Sequence, residues 1–362
     1  EYHKSALRPF SSFVRTCSAI GEAVGKNDMA KATKDFWKGR RVLVTGANGF
    51  LAGWVVKALL LRGAAVAALV YQKNPVSVFE TEGLNRQTEV IYSDILDFPS
   101  MKRVLRNHAI QTVFHLGAQA ICKVALEDPI ATLDANIRGT ANIMEAVRVT
   151  NPSIEVIAAS SDKAYGIHDK LPYRESAPLH GEFPYEVSKS CADLVSRMYF
   201  HAYGIPLVIV RSGNLYGGGD AHFSRIFPRT IHRLLRGLRP VVQSEGVRDY
   251  LYVEDAARGY IALAERVREF AGEAFNIGCE TPLSNKKIIA AIAKALHKPK
   301  VRLLFLHKPV EEIPNQYLSC KKIRRAIGWK PLVSLEEGVK RTVAWYREFF
   351  RGKNIRSLPL TD

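Results

Sequence analysis

From residue 36 onward, short apolar runs rich in β-branched residues alternate with longer amphipathic stretches. Residues 41–45, 64–70, 89–92, 112–116, 154–159 and 206–211 read as strands, each a brief and largely apolar run bounded by glycine, proline or polar positions. Between them, 50–61, 99–108, 131–149 and 184–203 carry apolar residues at helical spacing. Strands alternating with helices predict an α/β fold, a doubly wound parallel sheet with helices on both faces. Beyond residue 216 the rhythm changes to separate helices at 223–236 and 253–267 and short strands near 240–243 and 275–277. Amphipathic helices at 284–296 and 335–350 follow. That change predicts a smaller C-terminal α/β lobe.

The first strand runs straight into Gly46-Ala47-Asn48-Gly49-Phe50-Leu51-Ala52-Gly53, and a helix follows. A strand, a glycine turn and a helix N-terminus together hold a pyrophosphate. Gly46 permits the tight turn, Gly49 lets the backbone approach the ligand, and small Ala52 lets the helix pack close to the strand. The second strand that comes next gives the motif its weight. The sheet is therefore expected to be of Rossmann type, with Gly46, Asn48, Gly49, Phe50 and Leu51 in the cofactor cradle. The third strand ends in Ser93-Asp94-Ile95, where Asp94 can reach an adenine amino group or, with Asp97, cap the next helix. The fourth ends in Leu116-Gly117-Ala118, small enough to run beside the cofactor. Asp94, Ile95, Leu116 and Ala118 thus join the cradle, while His115 reads as a satisfied core histidine. The second strand ends in Val70-Tyr71-Gln72-Lys73, without the acid that usually meets the adenosine ribose. NAD is expected, with NADP left open. The division that follows is an N-terminal extension over 1–35, poorly ordered, a dinucleotide-binding domain over 36–215, and a mainly substrate-binding lobe over 216–355. Some segments of that lobe return to the first domain.

The fifth strand delivers Ser160-Ser161-Asp162-Lys163 at its carboxyl end, where open parallel sheets place their ligands. Three consecutive residues can meet one ligand only if the strand stops there and the chain turns. After it, Tyr185 and Lys189 stand four apart at the start of a helix and share a face. An ammonium beside a phenol favours the phenolate, which would give a base usable near neutral pH. The sixth strand leaves the sheet through Ser212-Gly213-Asn214 and the glycine-rich 217–219. Farther on, Arg248 is a candidate diphosphate clamp because its planar fork matches phosphate oxygens, the alternative being a local ion pair with Asp249 or Glu254.

Composition narrows the partners without choosing the chemistry. The chain has 362 residues, 47% hydrophobic, with Lys and Arg exceeding Asp and Glu by 52 to 35, a net +17. Such an excess favours an anionic partner. The basic runs, including Lys321-Lys322-Ile323-Arg324-Arg325, have the spacing of solvated helix faces and lack interleaved aromatics, so a nucleic-acid partner is disfavoured. The five cysteines show no metal-ligand spacing; no metal is expected, and a reducing, cytoplasmic compartment fits best. The longest apolar stretch, 54–71, is broken by Lys57 and Arg62, so no membrane span is expected. The first 28 residues are rich in Ser, Ala and Arg, but Glu1, Glu22 and Asp28 dilute any transit-peptide character.

With these residues assembled, the chain from about 36 to 350 resembles the extended short-chain dehydrogenase/reductases that act on nucleotide sugars, and among them the CDP-glucose 4,6-dehydratases. The residues that carry the resemblance are the start from Phe36 to Gly46, Ser161-Asp162-Lys163, Tyr185 with Lys189, Arg211-Ser212-Gly213-Asn214, and Gly328-Trp329-Lys330-Pro331. Val247-Arg248-Asp249-Tyr250 departs from it, looking more like the clamp of sugar epimerases and dTDP-glucose dehydratases. The resemblance implies an NAD-dependent hydro-lyase that binds a nucleotide-diphosphate sugar and forms a homodimer through the helices near 131–149 and 185–203. It also implies site roles: Tyr185 as base at O4 with Lys189 beside it, Ser161 holding O4, Asp162 as acid for the departing O6, Lys163 as base at C5, and Asn214 and Arg248 on the substrate. A 4-epimerase would need the Tyr/Lys pair but no acid for O6, and an idle basic scaffold would need none of these residues.

Overall fold

The structure is a computed structural model, and it describes residues 36–243, 246–306 and 313–351. The expected extension over 1–35 lies outside the described residues. Seven parallel strands form the main sheet: β1 (Arg41–Thr45), β2 (Ala65–Val70), β3 (Glu89–Tyr92), β4 (Thr112–His115), β5 (Glu155–Ser161), β6 (Leu207–Ser212) and β10 (Ala274–Ile277). Their order is β10-β6-β5-β4-β1-β2-β3. The chain winds outward in both directions from β1, so the switch point lies between β1 and β4, where Thr45 stands opposite His115. Near-continuous apolar runs make these strands because both faces are covered. One face packs on α1 (Phe50–Leu60) and α9 (Val253–Ala264), the other on α3 (Phe98–Asn107), α6 (Gly139–Thr150) and α7 (Pro184–Tyr203).

Residues 275–277 were expected among the short strands of the second lobe, yet with Ala274 they extend the main sheet by pairing in parallel with β6. Four residues with the sequence Ala-Phe-Asn-Ile carry no mark of which sheet they join; Phe275 and Ile277, both fully buried, go where the larger core has room. The second lobe holds the mixed sheet β11-β9-β7, built from β7 (Asn214–Tyr216), β9 (Val247–Tyr252) and β11 (Pro282–Ser284). Around it pack α8 (Ile226–Leu235), α10 (Asn285–Ala295) and α12 (Leu335–Phe350), with the pair β8 (Val241–Val242) and β12 (Leu304–Phe305) at the side. α11 (Lys321–Ile327) returns to the large domain beside β10.

The expected helix over 131–149 is interrupted. Between α5 (Pro129–Leu133) and α6 the turns widen into a π segment, Asp134–Arg138. This brings buried Asn136 inward, where its amide nitrogen donates to the Gln119 carbonyl at 2.9 Å and Ser188 Oγ at 2.8 Å. Widened turns of this kind are frequent at functional sites.

Candidate active site

The chain does turn after β5. Ser161 Oγ accepts the Lys163 backbone N–H at 3.2 Å and so caps a single 3₁₀ turn, Asp162–Tyr165, all of it buried. The same hydroxyl donates to Asp162 Oδ1 at 3.2 Å and hydrogen-bonds the Tyr185 phenol. Tyr185 comes from α7, whose ends are well specified: Pro184 opens it, the Glu186 carboxylate accepts the Glu182 and Phe183 N–H groups, and Gly204 closes it in the left-handed region. Ser161, Asp162 and Tyr185 thereby form one contiguous polar cluster at the carboxyl end of the sheet. Cys122, from α4 (Cys122–Glu127), walls it together with Phe183 and Lys163.

Burial sets the electrostatics here. Asp162 is 2% exposed, its Oδ2 has no hydrogen-bond partner among the described residues, and desolvation raises its carboxyl to about 7 against the pull of Lys163. Burial also pushes the Tyr185 phenol up, with Cys122 adding to the rise and Arg225 and the Ser161 hydroxyl opposing it. Arg225, unforeseen from the sequence, is held by Asp220 at 3.4 Å and the Ala120 carbonyl at 3.2 Å. Lys189 is placed differently from the simple picture of an ammonium beside a phenol. Its Nζ donates to the Ala159 carbonyl on β5 at 3.0 Å, and burial lowers it to about 8. Lys163 Nζ donates to Gln316 Oε1 at 3.4 Å. Gln316 is fully buried and lies 153 residues from Lys163, a separation that left no local signal for it.

The cradle at the switch point is tight. Gly46 has φ +64°, and a Cβ there would lie 2.8 Å from the Gly117 Cα. At Gly49 a Cβ would meet the Gly46 carbonyl at 2.9 Å, so the turn between β1 and α1 stays bare backbone above the helix N-terminus. Thr45 Oγ1 accepts the Leu116 and Gly117 N–H groups at 3.0 and 2.9 Å, and contacts His115, whose other ring nitrogen meets Thr140. His115 is a satisfied core histidine. Asn48 donates to the Gln72 carbonyl and ties the turn to the end of β2, with Phe50 and Leu51 opening α1 behind it. Asp94 accepts the Leu96 N–H at 2.9 Å and Asp97 caps α3 through Ser100. The carbonyl of Ile95, next to Asp94, accepts from Asn142 at 3.1 Å, and Ala118 follows directly on Gly117. These residues fit a dinucleotide, because bare glycine backbone at the switch point leaves the room a pyrophosphate needs.

The model of the GDP-mannose 4,6 dehydratase family matches residues 43–342 of this chain. The chain belongs to that family. It is 29% identical over 340 residues to the CDP-glucose 4,6-dehydratase of Salmonella typhimurium, covering 89% of this chain and 94% of that protein. Its fold is similar to a crystal structure of the dTDP-glucose 4,6-dehydratase DesIV from Streptomyces venezuelae with NAD and TYD bound, at 27% identity and a TM-score of 0.79, over 87% of this chain and 99% of that one. An epimerase from Methanothermobacter thermautotrophicus is similar as well, at 26% identity and a TM-score of 0.83, over 92% and 98%. Both reactions are thus represented among the family's neighbours, and the residues at the end of β5 have to discriminate between them.

Of the two expected substrate contacts, Arg248 lies within electrostatic reach of Asp162 and helps oppose the rise of its carboxyl. Asn214 opens β7, with an amide nitrogen that is buried and finds no partner among the described residues. Arg248 on β9 is 5% exposed and forms no ion pair with Asp249 or Glu254 among the described residues. Its guanidinium donates to the carbonyls of Pro314 at 2.7 Å, Val247 at 3.0 Å and Ile313 at 2.5 Å. Asp249 instead accepts the Cys279 and Glu280 N–H groups at 2.7 and 3.2 Å. Among the described residues no cluster of His, Cys, Asp or Glu could hold a metal ion, and no helix is long and apolar enough to cross a membrane.

Proposed function

We propose that the protein is an NAD-dependent nucleotide-sugar 4,6-dehydratase, with CDP-glucose as its substrate. The observation that carries the reading is Asp162, a buried carboxyl with a free oxygen, raised to about 7 and linked through Ser161 to Tyr185. A 4-epimerase has no use for a proton donor at that place, whereas loss of water from C5 and C6 requires one. Gly46, Asn48, Gly49, Phe50 and Leu51 with Asp94, Ile95, Leu116 and Ala118 would hold NAD, which when bound would supply reversible hydride acceptance for the C4 oxidation. Tyr185 takes the O4 proton while Ser161 holds the oxygen. Lys163 removes the C5 proton that the new C4 ketone has acidified, and gives it back to C5 when hydride arrives at C6. Asp162 protonates O6 as it leaves as water. Burial favours the protonated form of Asp162, the form an acid for O6 needs. Asn214, with its unpartnered amide, and Arg248 face the sugar nucleotide.

Scattered cysteines favour a cytoplasmic enzyme, and apolar residues left bare on α4, α5 and α7 favour a homodimer. The identity to the Salmonella enzyme supports CDP-glucose, while the Arg248-Asp249-Tyr250 segment keeps dTDP-glucose in the trial. The test is to incubate the protein with NAD and CDP-, dTDP-, UDP- and GDP-hexoses and follow product mass. Loss of one water from CDP-glucose is expected. An isomer of unchanged mass would assign epimerisation instead, and inertness toward every sugar would leave a binding protein.

A further inference from the structure

A second site lies outside the Tyr185 cluster. Between α7, α11 and the outer edge of β10 opens a cleft of about 860 Å³, within the size range of small-molecule sites. It shares no residue with the cluster around Ser161 or with the glycine cradle. Its walls are basic: Arg174, Arg197, Lys321 and Arg325 line it, and none of their four side chains forms a hydrogen bond or ion pair among the described residues. Two carboxylates share the lining, and both are engaged. Glu273 pairs with Lys322 at 2.8 Å, and Glu175 accepts the Asn276 N–H at 2.9 Å. Arg211 shows only its edge, since Asp193 takes its guanidinium from the other side. Four positive charges from three separate segments are therefore left to face one concave space.

The arrangement narrows the ligand. Lys321 and Arg325 are four apart on one helix, a like-charge pair that repels unless an anion lies between. An added peptide strand is disfavoured, because side chains already occupy the β10 edge: Lys322 Nζ takes the Ala274 carbonyl at 2.7 Å and Glu175 the Asn276 N–H. A long nucleic acid is disfavoured too, as the cations converge on a pocket and present no aromatic ladder. Three guanidiniums and an ammonium suit several phosphate groups close together, since the guanidinium fork accepts two phosphate oxygens at once. Phe270 and Ala326 add an apolar wall.

We propose that this cleft binds a small polyphosphate-bearing anion, separately from the substrate. Free inorganic polyphosphate and a nucleoside triphosphate present the same chemistry, and the test distinguishes them. The full-length protein is titrated calorimetrically with sodium tripolyphosphate and, in a second series, with ATP, at fixed salt. One-to-one binding is expected, weakened at least about tenfold in Arg197→Glu/Arg325→Glu. The same charge reversal at exposed Arg103 on α3 is expected to change it less than about twofold. The neutral double variant Arg197→Gln/Arg325→Gln guards against misfolding and should weaken binding in the same direction, with an unchanged melting temperature without ligand. Tighter binding of ATP than of tripolyphosphate assigns a nucleotide, and equal affinity assigns the polyphosphate chain alone. No binding at millimolar ligand, unchanged affinity in both double variants, equal loss in Arg103→Glu, or a single-stranded RNA that outcompetes tripolyphosphate phosphate for phosphate would overturn the proposal.

Discussion

At the scale of single residues, the decisive group is Asp162, and its burial has two consequences of opposite sign. With its proton held up to about 7, the carboxyl can donate below that pH and cannot above it. Water loss is therefore expected to fall about tenfold per pH unit above 7, read as kcat/KM for product formation. A flat profile from pH 6 to 9 would remove Asp162 from the acid role. The unfolded chain ionises this carboxyl near its ordinary 3.8, whereas the folded protein resists ionising it until about 7. Stability tied to Asp162 is thus intact below about 4, is lost as pH climbs from there to 7, and stays lost above. Asp162→Asn relieves that cost. At pH 8 it should raise the melting temperature by a few degrees, corresponding to about 1–2 kcal/mol, while slowing dehydration about 10²–10⁴-fold. Oxidation at C4 should survive in this variant, seen as transient NADH absorbance. Gln316 is the residue-scale companion: Gln316→Leu removes an acceptor that helps hold Lys163 Nζ. It should lower kcat about tenfold or more with little change in KM, whereas a purely structural glutamine would show only a lower melting temperature.

At the scale of elements, β6, α7 and β10 are joined by one buried network. Arg211 on β6 makes a paired hydrogen bond to Asp193 on α7 at 2.8 and 2.9 Å and donates to Tyr165, which in turn donates to Asn276 on β10 at 2.7 Å. Removing one partner leaves a charge stranded in the core, so Arg211→Met is expected to cost about 3–5 kcal/mol in chemical denaturation. Arg211→Met with Asp193→Leu should recover much of that, because the pair is replaced rather than broken. A double variant as unstable as the single one would show that packing rather than charge governs the site. The same network marks where sequence reading stops. Strands β1 to β6 and helix α7 follow from periodicity, since a buried parallel strand and a long capped helix write themselves locally. Turn, nicotinamide-type cradle and the 161–163 and 185–189 pairs follow as well, being sequence-local motifs on those elements. β7, β9 and β11 do not, as their stability comes from pairing across long separations: Asn214 with Tyr250, Leu283 with Arg248. Nor can a sequence show that Lys189 bonds the Ala159 carbonyl, that Arg248 is surrounded by carbonyls from 313–314, or that Gln316 and Arg225 reach the site. Each of these is a contact chosen by the packed fold from many that local rules allow.

At the scale of the whole molecule, the apolar surface is unevenly distributed. Leu194, Met198 and Tyr203 on α7 are 53%, 44% and 50% exposed, and Ile130 on α5 reaches 68%. Val124 and Leu126 on neighbouring α4 are also exposed. Single exposed apolar residues are ordinary, but here six lie on adjoining helices, one of which carries Tyr185 and Lys189, and their burial in a dimer would fix α7. The +17 net charge opposes nonspecific association, so self-association through these residues has to rest on apolar contact rather than on general attraction. A stable symmetric dimer buries about 1,200–2,000 Å² in total, within reach of two facing helices from each protomer. The expectation is a dimer of 40.4 kDa chains by light scattering at micromolar concentration, and a monomer for Leu194→Asp/Met198→Asp. Because α7 positions Tyr185 and Lys189 as well as the dimer face, the monomer should lose more in kcat than in KM and melt at lower temperature. A wild-type chain that scatters as a monomer throughout that range, or a double variant that remains dimeric, would move the interface elsewhere on the protein.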